Sequence, residues 1–254
     1  MAAASRKERI DKLLVERGLA ESRERAQALV LAGLVVAGDH AVEKAGQLVD
    51  VGLEIRLKGE ALPYVSRGGL KLVAALDRFA LDPTGLRALD VGASTGGFTD
   101  VLLQRGAVAV CALDVGHNQL AWKLRQDARV VSIEGANARH LDEAALPFSP
   151  DVVVCDVSFI SLGLVLPALL GAAPAARWVV LLVKPQFEVG REDVGKGGVV
   201  RDEAKRLAAL LRVEELARTL QCEVIGSMPS PITGPAGNVE YLLALRPPRT
   251  ASQK

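Results

Sequence analysis

The sequence predicts an α/β chain, a mostly parallel sheet covered on both faces by helices, with a small α+β unit in front. Three observations carry this. Apolar, largely β-branched runs recur from Ala88 to Leu245 and are continuous, as strands buried on both faces require. Stretches of helical period separate them, the alternation expected of an α/β sheet. The first sixty or so residues keep another rhythm, two helical repeats followed by short strands, and end at Gly59-Glu60-Ala61-Leu62-Pro63.

In the front unit, Ile10, Leu13 and Leu14 fall at helical spacing through Arg17, and Gly18 supplies a stop. Ser22 is a suitable cap for a second helix carrying Ala26, Leu29, Val30 and Ala32, ended by Gly33. The stretch from Val35 to Val42 reads as two short strands around a Gly38-Asp39 turn, and Leu53–Leu57 alternates as a strand does. In the main domain a helix from Gly69 to Phe79 carries the apolar stripe Leu72, Val73, Leu76 and Phe79, with Lys71 beside it. Strands are expected at Ala88–Val91, Val108–Leu113, Val130–Ile133, Val152–Cys155 and Trp178–Val183, and helices at Phe98–Gln104 and Asp202–Leu220. Val224–Ile225 and Val239–Leu245 complete the sheet. The expected division is 1–59 for the front unit, 60–68 for a linker, 69–247 for the main domain and 248–254 for a tail.

Composition excludes several classes. Half of the 254 residues are apolar and 24% charged, as in a chain with a sizeable core. The formal net charge is +1, so any nucleic-acid partner must be held by a local patch. The N-terminus lacks the apolar segment of a signal peptide, and a cytoplasmic location is expected. Cys111, Cys155 and Cys222 lie far apart inside or beside apolar runs, so they read as buried reduced thiols. His40, His117 and His140 have no ligand-like spacing, and no metal is expected. Val157–Ala176 is uncharged and long enough to span a bilayer, but Pro167, Pro174 and several small residues make it a better loop and core helix. A monomer or weak dimer with no membrane partner is expected.

Function in such sheets gathers at the carboxyl ends of the strands. After the first main-domain strand comes Asp90-Val91-Gly92-Ala93-Ser94-Thr95-Gly96-Gly97, where glycines permit a tight bend and close approach of a ligand. Ser94 stands where a dinucleotide site would place its second glycine. The second strand ends at Asp114, twenty-four residues beyond Asp90 and suitably placed for a ribose diol. A glycine turn and a second-strand acid suit an adenosine-type ligand without a pyrophosphate, a description that S-adenosylmethionine fits. Further charges follow: Asp156 after the fourth strand, Lys184 after the fifth and Glu240 in the last. With Lys71 they make two lysines and two carboxylates on one sheet edge. Asn137 follows the third strand and is either a turn residue or a contact near an adenine. The glycine-rich Val194–Gly198 stretch lacks the features of a phosphate loop and reads as a lid or an RNA-contacting loop.

Ser66-Arg67-Gly68-Gly69-Leu70-Lys71, Leu89–Asp100, Cys155-Asp156-Val157-Ser158-Phe159, Val183-Lys184-Pro185-Gln186-Phe187-Glu188 and Gly195–Asp202 together resemble the TlyA family, often labelled haemolysin A. In front of them, Arg9–Leu14, Ser22–Ala26 and Ala32–Val35 resemble the RNA-binding domain named after the fourth small-subunit ribosomal protein. The resemblance implies a Rossmann-like seven-stranded methyltransferase sheet of the FtsJ type, S-adenosylmethionine as cofactor, and cytidine 2′-hydroxyls of ribosomal RNA, presented in ribosomal subunits, as substrate. It implies a catalytic set of Lys71, Asp156, Lys184 and Glu240. Asp90, Gly92, Ala93, Ser94, Thr95, Gly96, Gly97, Asp114, Asn137 and Asp156 are then candidates for holding the cofactor. Arg9, Lys12, Arg23, Arg25 and Arg67 are candidates for RNA. Residues 1–60 carry ten Lys/Arg and ten Asp/Glu, so those cations must be clustered to act on phosphates.

A ribose hydroxyl is a poor nucleophile, and alignment alone can contribute on the order of 7–11 kcal/mol. The remainder is relief of its proton. A lysine serves as base only with a lowered pKa, which a second lysine and a desolvated strand end favour. Lys184 is therefore the expected base, with Lys71 adding positive potential, Asp156 orienting Lys184, and Glu240 positioning Lys71 or the ribose. Three other classes stay in view: a non-catalytic RNA-binding or ribosome-assembly factor, a nicotinamide-dependent oxidoreductase, and a membrane-active haemolysin. The first would need neither lysine, the second is opposed by the glycine spacing, and the third rests on residues 157–176 alone.

Overall fold

The computed structural model describes residues 6–38, 40–58 and 63–248. Two compact units divide the chain between Pro63 and Tyr64. Asp39 of the expected Gly-Asp turn, most of the Gly59–Pro63 segment and most of the 248–254 tail lie outside the described residues.

The first unit contains β1 (Lys7–Arg9), α1 (Ile10–Glu16), α2 (Arg23–Leu31), β2 (Val35–Ala37), β3 (His40–Ala41), β4 (Leu48–Asp50) and β5 (Ile55–Leu57). The expected stops operate: Gly18 and Gly33 both adopt φ +70°, which ends each helix at low steric cost. Ser22 caps α2, its hydroxyl accepting from the Arg25 amide at 3.2 Å. Ile10, Leu14, Ala26, Leu29, Val30 and Val35 close a small core. Two strands are additional to the expectation: β1 pairs antiparallel with β4, while β2 lies between β3 and β5. Three residues complete no period, and Lys7-Glu8-Arg9 carries no apolar signal.

The second unit contains α3 (Gly69–Phe79), β6 (Arg87–Val91), α4 (Gly97–Gln104), β7 (Ala109–Asp114), α5 (Trp122–Arg125), β8 (Val130–Glu134) and β9 (Val152–Cys155). It continues with α6 (Leu162–Ala172), β10 (Trp178–Val183), α7 (Pro185–Glu188), α8 (Glu203–Thr219), β11 (Glu223–Pro229) and β12 (Tyr241–Arg246). Residues 64–68, expected as linker, lie in this unit. Its sheet has seven strands in the order β11-β12-β10-β9-β6-β7-β8, and β12 runs antiparallel to both of its neighbours. One core packs α3 and α4 on one face, with Leu72, Leu76 and Leu102 fully buried or nearly so. The other packs α6 and α8 on the opposite face, with Leu162, Leu166 and Leu169. Each such side chain contributes about 1.5–3 kcal/mol. Within α3 the buried face is Lys71, Leu72, Ala75 and Leu76, so Lys71 lies in the buried stripe that it was expected to flank.

The uncharged 157–176 stretch is a loop followed by α6, which buries Leu162, Val165, Leu166, Leu169 and Ala172. Among the described residues no helix is long and apolar enough to cross a membrane. β11 is longer than the expected Val224–Ile225, because Glu223, Ser227 and a register shift at Val224/Gly226 hide an edge strand in the sequence. β12 begins at Tyr241, so Glu240 stands just ahead of the strand rather than within it.

Candidate active site

The chain runs β6, β7, β8 outward on one side and then returns to place β9 on the other side of β6. The switch point of the sheet is thus the junction of Gly92 and Asp156, each following its strand. The junction is tight: at Gly92, with φ +82°, a Cβ would lie 2.6 Å from the Asp156 carbonyl oxygen. Only glycine lets these two strand ends approach so closely.

Two cavities meet there. The first, of about 400 Å³, is walled by Leu113, Val115, Ala136, Ala138 and Ile160 and carries the polar groups of Asp114, Asn137 and Asp156. The second, of about 260 Å³, is lined by Arg67, Lys71, Lys184 and Glu240 among others. Gly92, Ser94, Asp156 and Ser158 line both. Among the described residues the first holds two carboxylates and no lysine or arginine, whereas the second holds three cations.

All four candidate catalytic residues converge on the second cavity. Register explains how: Val91 lies opposite Cys155, Cys155 opposite Leu181 and Val183 opposite Tyr241, so the residues just beyond these strand ends share one edge. The antiparallel direction of β12 is what brings Glu240 to the carboxyl edge of the parallel strands. Lys71 reaches the site from the first turn of α3. Lys71 Nζ lies 2.5 Å from Glu240 Oε2, both side chains being almost wholly buried. Lys184 Nζ lies 2.6 Å from Asp156 Oδ1 and donates to Ser158 Oγ at 2.7 Å. Two ion pairs therefore line one cavity, the first almost wholly buried and the second partly so, each satisfying charges that would be costly alone. Arg67 is the charged residue lining this cavity that has no ion pair among the described residues.

The candidate cofactor residues separate into groups. Asp114 and Asn137 line the first cavity. Asp114 accepts from the Ser94 amide at 2.8 Å and the Gly116 amide at 2.7 Å, and this holds Ser94 at φ +48° in the place of a missing glycine. Asn137 is a turn residue as well as a lining one, its Oδ1 accepting from the Arg139 amide at 3.0 Å. Ala93, Thr95 and Gly97 face the second cavity. Gly96 is covered by Leu120 and Leu124. Asp90 lines neither cavity. It is fully buried beneath the turn and accepts from Thr99 Oγ1 at 2.6 Å, which anchors the first turn of α4. Burial pushes its carboxyl up to about 7, against the lowering influence of Thr99 and with a further rise from the Asp156 charge.

The candidate RNA residues of the first unit are largely engaged. Arg9 and Arg23 both contact the buried Asp11, at 2.8 and 3.0 Å, and Lys12 bridges Glu8 and Glu16. Their outer ends remain about half exposed. The glycine-rich stretch is closed by a bridge between Gly195 and Val199, and the buried Asn238 holds it by donating to the Gly198 carbonyl at 2.8 Å and accepting from the Val200 amide at 3.0 Å.

Sequence reasoning missed Ser158, Thr99, Asn238 and the exposed Phe159, which adopts φ +64° on the wall of the first cavity, 5.2 Å from the Phe187 ring. The available signal for Ser158 was its place two residues beyond Asp156. The three cysteines are buried and free, and burial pushes the thiols of Cys111 and Cys155 up to about 12, so they are inert.

Residues 64–247 match the family described as FtsJ-like methyltransferase, and residues 8–55 match the S4 domain. Over 243 residues the chain is 50% identical to the 16S/23S rRNA (cytidine-2′-O)-methyltransferase TlyA of Mycobacterium tuberculosis, covering 95% of this chain and 91% of that protein. It is 42% identical over 239 residues to Hemolysin A of Brachyspira hyodysenteriae, covering 92% and 98%. The solved structure titled "Putative hemolysin from Streptococcus thermophilus" superposes with a TM-score of 0.76 at 47% identity, over 98% of this chain and 92% of that one.

Proposed function

The chain belongs to the TlyA family, an FtsJ-like methyltransferase domain behind an S4 domain, and from that premise we propose that it methylates a cytidine 2′-hydroxyl of ribosomal RNA in the cytoplasm, using S-adenosylmethionine. The observation that carries this reading is the pair of cavities meeting at Asp156. One is acidic, partly apolar and free of cations, which suits a positively charged, phosphate-free adenosine derivative. The other is rich in cations, which suits a polyanion.

In the first cavity Asp114 would accept from a ribose diol, Asn137 would meet the adenine edge, and Leu113, Ala136 and Ile160 would cover its faces. When bound there, S-adenosylmethionine supplies a methyl group on positively charged sulfur, so the sugar oxygen needs alignment and relief of its proton. Lys184 Nζ, beside Asp156 and hydrogen-bonded to Ser158, takes that proton. Lys71, fixed by Glu240, supplies positive potential beside the oxygen as it loses its proton. Arg67 pairs with a phosphate flanking the target ribose, the one charge in its cavity left for an incoming anion. Phe159 offers an exposed ring face to a nucleobase.

The decisive comparison is wild type against Lys184→Ala, with labelled S-adenosylmethionine and separated small and large ribosomal subunits, followed by mapping of the modified ribose. The expected result is labelling of a cytidine 2′-oxygen by the wild type, and a loss of at least about 100-fold in the variant with cofactor affinity retained. Full turnover by Lys184→Ala would remove Lys184 from the role of base. Labelling of a base carbon or nitrogen would defeat the assigned reaction.

A further inference from the structure

We infer that Ser158 is a positioning residue for methyl transfer, whose hydroxyl aims the amine of Lys184 at the substrate oxygen. The inference rests on Lys184 being the base. A lysine Nζ has four tetrahedral directions, one of them occupied by its own Cε. In this site one more is taken by a hydrogen bond to Ser158 Oγ at 2.7 Å, while Asp156 Oδ1 lies 2.6 Å away as an ion-pair partner that forms no hydrogen bond among the described residues. Ser158 Oγ is thus the acceptor that gives Nζ a direction. Lys184 is otherwise buried, and it lines the second cavity.

The consequence is geometric. A neutral amine has two N–H bonds and one lone pair. With one N–H bond committed to Ser158, rotation about the Cε–Nζ bond is stopped, and the Asp156 charge beside Nζ turns the lone pair away from itself, toward the cavity. With Asp156 alone as partner, rotation about the Cε–Nζ bond exchanges the lone pair with an N–H, and an N–H facing the sugar hydroxyl cannot take its proton. The carboxylate provides charge, but a directional hydrogen bond is needed to set the orientation.

The surroundings of Ser158 are built to hold it still. Asp156 is fixed by its amide, which donates to the Val91 carbonyl at 2.9 Å, and by the close apposition with Gly92. At the other end of the loop, Glu188 accepts from Ser161 Oγ at 2.7 Å and from the Leu162 amide at 2.8 Å. Glu188 and Lys184 lie at opposite ends of the same short segment, so the segment that carries the base also clamps the loop that aims it. Ser158 lines both cavities, so the orientation is set where cofactor and sugar meet.

The test uses the full chain as Ser158→Ala and Ser158→Thr beside Lys184→Ala, with ribosomal subunits and labelled S-adenosylmethionine. For Ser158→Ala the expected result is a fall in kcat of about 10- to 100-fold, with the KM for subunits and the Kd for cofactor within about twofold of wild type. Ser158→Thr, which keeps the hydroxyl, should recover most of the lost kcat. Wild-type kcat in Ser158→Ala beside an inactive Lys184→Ala would overturn the positioning role while leaving the base assignment standing. Loss of cofactor binding and thermal stability in Ser158→Ala, or equal impairment in Ser158→Thr, would also overturn it by showing a merely structural contact. Full activity in Lys184→Ala would overturn the base assignment, and this inference with it.

Discussion

Asp90 is a carboxyl placed inside an apolar strand, and its energetics follow from that placement. Its Oδ2 meets Thr99, while Oδ1 has no hydrogen-bond partner among the described residues. Desolvation raises it from an ordinary 3.8 to about 7, Thr99 opposes the rise, and the nearby Asp156 and Asp114 charges add to it. Because the folded value is raised, the neutral form favours the fold. That advantage is complete below about pH 4 and is lost as the pH climbs through 7. Over the full range the loss is at most about 4 kcal/mol. Asp90→Asn, which keeps the Thr99 bond and never ionises, should therefore melt above wild type at pH 8 and close to it at pH 4. A gap in Tm that does not change with pH would refute this account.

Among elements, α1 and α2 are joined by a polar pin as well as by their apolar faces. The Asp11 carboxylate is buried and receives Arg9, Arg23 and Gln27, and the Arg9 hydrogen bond leads in holding it well below the usual carboxylate range. Burial opposes that lowering and is outweighed. Its stabilising effect is thus present at neutral pH and fades as the medium becomes acid enough to protonate it. The arginine ends are about half exposed, so solvent screening keeps the contribution modest, about 1–3 kcal/mol. Asp11→Asn should quicken amide hydrogen exchange across residues 10–31 by a corresponding factor while exchange in β6 and β9 is unchanged. Unaltered protection in α1 and α2 would show that the pin is dispensable. It also fixes Arg9 and Arg23 in place, so the RNA contacts expected of them would be made from set positions rather than by free charges.

On the proposed reading of the whole molecule, the chemistry resides in the second unit and part of the RNA contact in the first. Both cavities are lined by residues from Ser66 onward, whereas the proposed phosphate contacts Lys12 and Arg25 belong to the first unit. A double variant, Lys12→Ala with Arg25→Ala, should leave cofactor affinity and turnover at saturating subunits near wild type. Its affinity for subunits should fall, and the slope of log affinity against log salt should become shallower by about 1–2. An unchanged salt slope, measured by subunit binding at several ionic strengths, would place the contacts elsewhere.

The strand ends were legible in the sequence because each is a local event: a continuous apolar run stops and a charge follows. Asp114, Asp156 and Lys184 announce themselves in this way, and the helix stops at Gly18 and Gly33 do so by backbone freedom alone. Short elements such as β1, β4 and α7 left no trace because they carry neither a continuous apolar run nor a period. What only the tertiary structure decided are relations between distant residues. The Lys71–Glu240 pair spans 169 positions and depends on β12 running antiparallel. The depth of Asp90, the commitment of Arg9 and Arg23 to Asp11, and the Ser158 acceptor on Lys184 are likewise matters of packing. Periodicity and strand ends belong to the chain, which carries them wherever it folds. Distances between side chains belong to the sheet, and exist only once strands far apart in sequence lie next to one another.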